Sequence, residues 1–231
     1  MLNCLLHIFT ILIPSVIFNF YYLPLKQAVK LPILLTKPRF RKLKGRVVIE
    51  SDTVHMGMIR LGEVKTNLFP HNGISWYNEG TVIFKGEAVI GADSYIVVRP
   101  TGRVEFGANF ASTAALKLVS CIGISFGKGT LLGWNVIVTD SQFHPLYDTE
   151  KKCFKKAYGK IRIGDYNWFS TQCMIMHSVE TPEHCIFGAR SIVTKGGHFE
   201  SYCVHGGSPL RILSTNTMRI KEHDQITEYI E

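Results

Sequence analysis

Ile163, Phe169, Ile175, Thr181, Phe187 and Val193 follow one another at intervals of six residues. Neither an α-helix, with a period of about 3.6 residues, nor a strand, with a period of about two, produces that spacing. A coil of three flat faces does, with one hexapeptide to each face. The residue after a column position is often small (Gly164, Ser170, Gly188), and the fourth after it is compact (Cys173, Val179, Cys185, Ser191), as the corners of a narrow prism demand. Phe126-Gly127, Leu132-Gly133 and Val138 repeat the phase, as do Ile90-Gly91 and Ile96, so the prism runs through most of the chain. With three hexapeptides to a turn, residues 18 apart stack at about 4.8 Å by parallel pairing, which sets Phe169 under Phe187 and Ile175 under Val193. The fold class is all-β, a parallel β-helix.

The repeat falters at both ends and once in the middle. Residues 1–45 read as an apolar helical segment followed by a Pro- and Lys-rich connector, in which Pro32 and Pro38 oppose one continuous helix. Residues 46–213 form the β-helix domain, with early strands at Arg46–Ile49, Met58–Leu61 and Thr81–Phe84. Val64 to Glu79, with Pro70, Asn72 and Gly73, reads as a loop or bulged turn. Phase stops at Val138 and resumes at Ile163, so residues 139–160 are an insertion that projects from the shaft. The repeat is lost again at Gly196-Gly197, and residues 214–231 form a short C-terminal extension with a possible helix.

Composition narrows the class of partner. With 46% hydrophobic and 19% charged residues the chain is globular, and its net charge of +8 suits a nucleic acid, an anionic membrane surface or a small polyanion. The repeat favours the small polyanion, and no nucleic-acid partner is expected. Cys173 and Cys185 fall on the compact interior phase and no Cys-x-x-Cys occurs, which points to reduced thiols and a cytoplasmic location. No Lys or Arg precedes Lys26, so the apolar start lacks the basic beginning of a secretory signal, and His7, Pro14 and Asn19 interrupt it as a membrane span. It reads as a cap on the open end of the prism, or as an interfacial anchor whose basic run, Lys37 to Lys44, meets lipid headgroups at the inner face of a membrane.

Chemistry points to the inserted loop, which opens with Asp140, Ser141, Gln142, Phe143, His144 and Pro145. A histidine takes a proton from a hydroxyl near neutral pH, and a carboxylate such as Asp140 can hold its tautomer, so His144 is the candidate general base. His177, two residues after the inward Ile175, is a further candidate; His55, His71, His184, His198, His205 and His223 read as surface or turn residues. No His or Cys cluster suggests a metal. There is no Gly-rich phosphate loop, so a phosphorylated ligand falls to basic residues such as Arg190, Lys195 and Arg211.

Ile161-Arg-Ile-Gly-Asp-Tyr-Asn-Trp168, Phe187-Gly-Ala-Arg-Ser-Ile-Val-Thr-Lys195 and Gly207-Ser-Pro-Leu-Arg211 resemble the C-terminal signature of hexapeptide-repeat acyltransferases. Leu131-Leu-Gly-Trp-Asn-Val136 and Asp140-x-x-Phe-His144 resemble the branch that O-acetylates bacterial capsule and exopolysaccharides. The resemblance implies a left-handed coil and a homotrimer that binds acetyl-CoA between neighbouring prisms and uses no metal. It implies transfer of an acetyl group to a saccharide hydroxyl in surface-polysaccharide biosynthesis, with His144 and Asp140 catalytic. Trp168, Gly188, Lys195 and Arg211 then contact the coenzyme, and Trp134, Asn135 and Gln142 the acceptor; either tryptophan can equally fill a coil corner. Relatives often carry a second Asp where this chain has Gln142, and Ser208 and Thr181-Pro182 are further departures. Acylation of an aminosugar nucleotide, a non-catalytic trimeric scaffold and a metal-dependent hydratase stay open as alternatives.

Overall fold

The computed structural model describes residues 2–221 and 224. Apart from a terminal hairpin, every strand of the shaft pairs with the strand one coil before or after it, which yields three long sheets of nine, seven and six strands. The first face contains Trp168–Phe169, the second Met174–Ile175 and the third Ile161–Ile163. Pairing follows the sequence period: Phe169 registers with Phe187, Ile175 with Val193 and Ile163 with Thr181. All six side chains point inward and are buried, and the rings of Phe169 and Phe187 lie 4.3 Å apart and 2° from parallel.

Backbone geometry explains why the repeat is six. Tyr166, Gln172, Ser178, His184, Arg190, Gly196 and Tyr202 stand six residues apart, and all have positive φ. A left-handed residue turns the chain through each corner, so the period counts corners as much as core residues. Earlier coils are longer. Phe84, Phe106 and Phe126 stack on the third face with centroids 5.2 and 5.7 Å apart although 22 and 20 residues separate them; the extra residues sit at corners, and the interior column is kept.

Val64 to Glu79 is only partly loop, which corrects the sequence reading. Ile74–Asn78 is a strand of the second face with Trp76 fully buried, as the alternation Ile-Ser-Trp-Tyr allows. The connector supplies two more strands, Ile33–Leu35 on the first face and Arg39–Lys42 on the second.

Helix α1 (Leu2–Tyr22) lies against the edge strand Ile33–Leu35. An edge strand presents unpaired backbone groups, and here α1 supplies their partners. Asn19 donates to the Ile33 carbonyl at 2.7 Å and accepts the Ile33 N–H at 3.1 Å, while Ser15 Oγ accepts the Leu35 N–H at 2.9 Å. The polar residue that interrupts the apolar run is thus a bond to the prism. Among the described residues no helix is long and apolar enough to cross a membrane.

At the other end the chain keeps its phase beyond Val193, again correcting the sequence reading. Val204–Gly206 rejoins the first face, with His205 in register with Phe187 and fully buried below its ring at 5.2 Å. His205 is therefore a core residue, and an isolated histidine in a Gly-rich stretch gave no sign of it. Arg211–Ser214 folds back antiparallel on this strand. The possible C-terminal helix falls largely outside the described residues.

Candidate active site

The insertion leaves the corner between the second and third faces. Across it, partners such as Leu132 and Phe169, or Val138 and Ile175, are 37 residues apart, so the excursion adds 19 residues to an 18-residue coil. Its neck is closed by Gly159 N–H donating to the Asp140 carbonyl at 3.0 Å and Gln142 N–H to the Ala157 carbonyl at 2.7 Å. Beyond the neck it forms a small hairpin, Tyr147–Asp148 against Cys153–Phe154. Asp148 Oδ1 accepts the Glu150 and Lys151 N–H groups at the tip, and Tyr147 packs edge-on to Phe154.

Asp140 is fully buried, and its carboxylate is saturated by the corner one coil earlier. It accepts from Cys121 N at 2.7 Å, Ile122 N at 2.9 Å, Gly123 N at 2.7 Å and Ser120 Oγ at 2.9 Å. No bond to His144 is among them. Three successive N–H groups converging on one carboxylate fix the direction in which the loop departs. The negative charge here, after burial, helps push the Cys121 thiol up from its ordinary pKa.

His144 is exposed on the loop, its backbone N–H donating to the Gln142 carbonyl at 2.7 Å beside the left-handed Phe143. The Gln142 side chain reaches the next coil instead. Its amide donates to His177 Nε2 at 2.7 Å, and His177 Nδ1 stands 3.1 Å from Ser178 Oγ. With the amide nitrogen toward Nε2, that ring nitrogen is the acceptor, which leaves Nδ1 to face the Ser178 hydroxyl. Gly159 packs so closely on Ser178 that a Cβ there would lie 2.0 Å from the hydroxyl. Gln142, His144 and His177 therefore gather at the corner between the second and third faces, and exposed Lys195 follows one coil further along it.

The remaining sequence-predicted residues lie elsewhere. Trp134, Asn135 and Gly188 occupy the corner between the first and second faces, and Trp168 lies outward on the first face between Leu131 and Ile186. The Trp134 carbonyl accepts from Thr171 and Gln172, so part of its role is to hold the corner. Arg211 begins the terminal strand of the first face and is exposed. Within one chain the structure thus brings Asp140, Gln142 and Lys195 to the His144 corner, and leaves Trp134, Asn135, Trp168, Gly188 and Arg211 off it. His177 as partner of Gln142, and the 120–123 turn as partner of Asp140, were not paired by sequence reasoning. Both lie in neighbouring coils, 35 and 17–20 residues away. Among the described residues no group of three or more His, Cys, Asp or Glu is placed to hold a metal ion.

The architecture defined by these features is a parallel β-helix with one extruded corner loop, and it is a fold already seen in acetyltransferases. The polySia-specific acetyltransferase NeuO superposes with a TM-score of 0.55 over 83% of this chain and 75% of its own, at 22% identity. The polysialic acid O-acetyltransferase OatWY matches 82% of this chain and 94% of its own at 17% identity, with a TM-score of 0.44. No protein-family profile and no curated protein matches the chain.

Proposed function

We propose that this protein is an O-acetyltransferase that moves an acetyl group from acetyl-CoA to a saccharide hydroxyl, in the assembly of a bacterial surface polysaccharide. The observation that carries the reading is the corner itself: an exposed imidazole on a loop whose root is clamped by Asp140 and by the Gln142–His177 contact. His144 takes the acceptor's proton as the hydroxyl oxygen bonds to the thioester carbonyl carbon. The C–S bond then breaks, and the proton returns to the departing sulfur. Asp140 acts one step back, as the anchor that aims the loop. Lys195 and Arg211, exposed and free of ion pairs among the described residues, suit phosphate groups.

Those two cations stand on different parts of the prism, and so do His144 and Trp168. A complete site then needs two copies of the chain, which supports the homotrimer. Outward side chains support it too: half-buried Leu131 and Trp168 lie side by side on the first face, next to an Ile186 that the chain itself already buries, and Ile137, Met174 and Ile192 line up on the second. The third face instead presents Glu105, Ser125, Arg162 and Glu180. Two apolar faces call for cover. The left hand of the coil and a cytoplasmic location, in keeping with the five free cysteines described, belong to the same proposal. The test is His144→Ala: acetyl transfer should vanish while acetyl-CoA still binds, and full retained activity would end the assignment.

A further inference from the structure

The charge of this protein is unevenly placed. Residues 1–49 hold eight of the 26 Lys and Arg and none of the 18 Asp and Glu, so the other 182 residues, with 18 of each, are neutral. These residues make the first coil, so the cations gather at the end of the prism that α1 closes, where Glu50 and Asp52 of the same coil are the first acidic residues.

Helix α1 has two faces. Ser15, Phe18 and Asn19 are buried against the prism, and on the opposite side Ile13, Ile17, Phe20 and Tyr21 are 52%, 57%, 50% and 59% exposed. Positions 13, 17, 20 and 21 share one side of a helix, so this is a continuous apolar stripe, and exposed Leu25 and Val29 follow it. The stripe and the cations meet at one end of the prism. Phe40, in the strand Arg39–Lys42, stacks on the inner-side Phe18 at 5.9 Å, which seats the strand next to α1, while exposed Arg39 and Arg41 alternate with Phe40 and point out from the shaft. Among the described residues Lys42 is the one cation of the eight in an ion pair, a long contact to Glu79 at 3.8 Å.

We infer that this end docks on an anionic bilayer surface, α1 lying in the interface with its outer stripe among the acyl chains and its flanking cations at the headgroups. Three occupants are conceivable, and charge decides between them. A soluble polyanion would neutralise the cations and leave six large apolar side chains in water. A second copy meeting end to end would cover the stripe but set one cationic end against another. An anionic membrane surface satisfies both. The inner side of α1 is already committed to the edge strand, so the helix caps and docks at once. The inference stands independently of the acetyl-transfer reading.

The full chain is sedimented with vesicles of phosphatidylcholine alone and of an equimolar mixture with phosphatidylglycerol. It should pellet with the mixed vesicles only, less so as salt rises. Arg39→Gln with Arg41→Gln should weaken binding about 30-fold, taking roughly 1 kcal/mol for each cation near the surface. Ile17→Ser with Phe20→Ser should weaken it about tenfold or more. Leu25→Ser with Val29→Ser, outside α1, repeats the apolar test if the helix variant melts early. Equal binding to both vesicles, or to neither, would overturn the inference. It would also fall if the apolar variants bound mixed vesicles as wild type and lowered the solution mass instead, the mark of a contact between copies. Heparin binding by wild type and the apolar variants alike, with no vesicle binding, would show a soluble polyanion as the occupant.

Discussion

Asp140→Asn separates two roles for this carboxylate. In the structure it satisfies three backbone N–H groups and one hydroxyl, Oδ1 serving Cys121 and Oδ2 serving Ser120, Ile122 and Gly123. An amide has one acceptor oxygen. Placed toward Ile122 and Gly123, it turns its own N–H₂ against the Cys121 N–H, losing one charge-assisted bond and weakening the rest. With hydrogen bonds to a charged group worth about 1.5–3 kcal/mol each, the expected cost is about 2–3 kcal/mol. For a chain of this size that is a fall in melting temperature of roughly 4–12 °C. Asp140→Ala, which strands all three N–H groups, should cost about 4 kcal/mol or more. Thermal melting reads the total, and amide exchange at residues 121–123 reads the place: protection there should fall first. If Asp140→Asn melted and exchanged like wild type yet lost all transfer, the anchoring role would be refuted and a direct bond to the imidazole would stand in its place.

Two further outcomes follow from the packing. Burial depresses the pKa of His205, so the unfolded chain takes up a proton that the folded core refuses, and stability should decline as pH falls below about 6.5. His205→Phe, which continues the Phe169–Phe187 column, should flatten that dependence in melts from neutral to mildly acidic pH; an unchanged slope would place its origin elsewhere. Ile192→Glu puts a charge in the outward row of the second face, and sedimentation should then give the single-chain mass of 26.1 kDa in place of an assembly.

What the sequence disclosed divides along one physical line. Periods survive in a sequence wherever each coil repeats the last, so the column Ile163 to Val193 and its 18-residue register were legible. The strand Ile74–Asn78 was hidden because the coils before it are longer and end in corners of variable length, which erase a period of six without disturbing the interior. The partners of Asp140 and Gln142 were hidden for a different reason. A β-helix brings together residues one coil apart, and no local pattern marks which corner side chain will reach which. His205 shows the converse: its identity signalled a surface residue, and the register with Phe187 overrode it.

The same geometry says where a prism of this kind can hold chemistry. Its interior is filled by stacked columns, and its face backbones are consumed by pairing, so neither can offer a cavity without loss of core. Corners are the exception. In the regular coils each carries a left-handed residue, and a chain inserted at a corner disturbs no ladder, as Leu132 and Phe169 pair across 19 added residues without a break. The cost is that one corner presents a limited set of groups: here an exposed imidazole, a Gln–His pair, Lys195, and a groove at the loop root lined by Lys156, Tyr158, Lys160 and Ser178. A reaction that needs a second wall can take it from another prism, and the outward rows Leu131–Trp168 and Ile137–Met174–Ile192 are apolar surfaces of this chain suited to supply it.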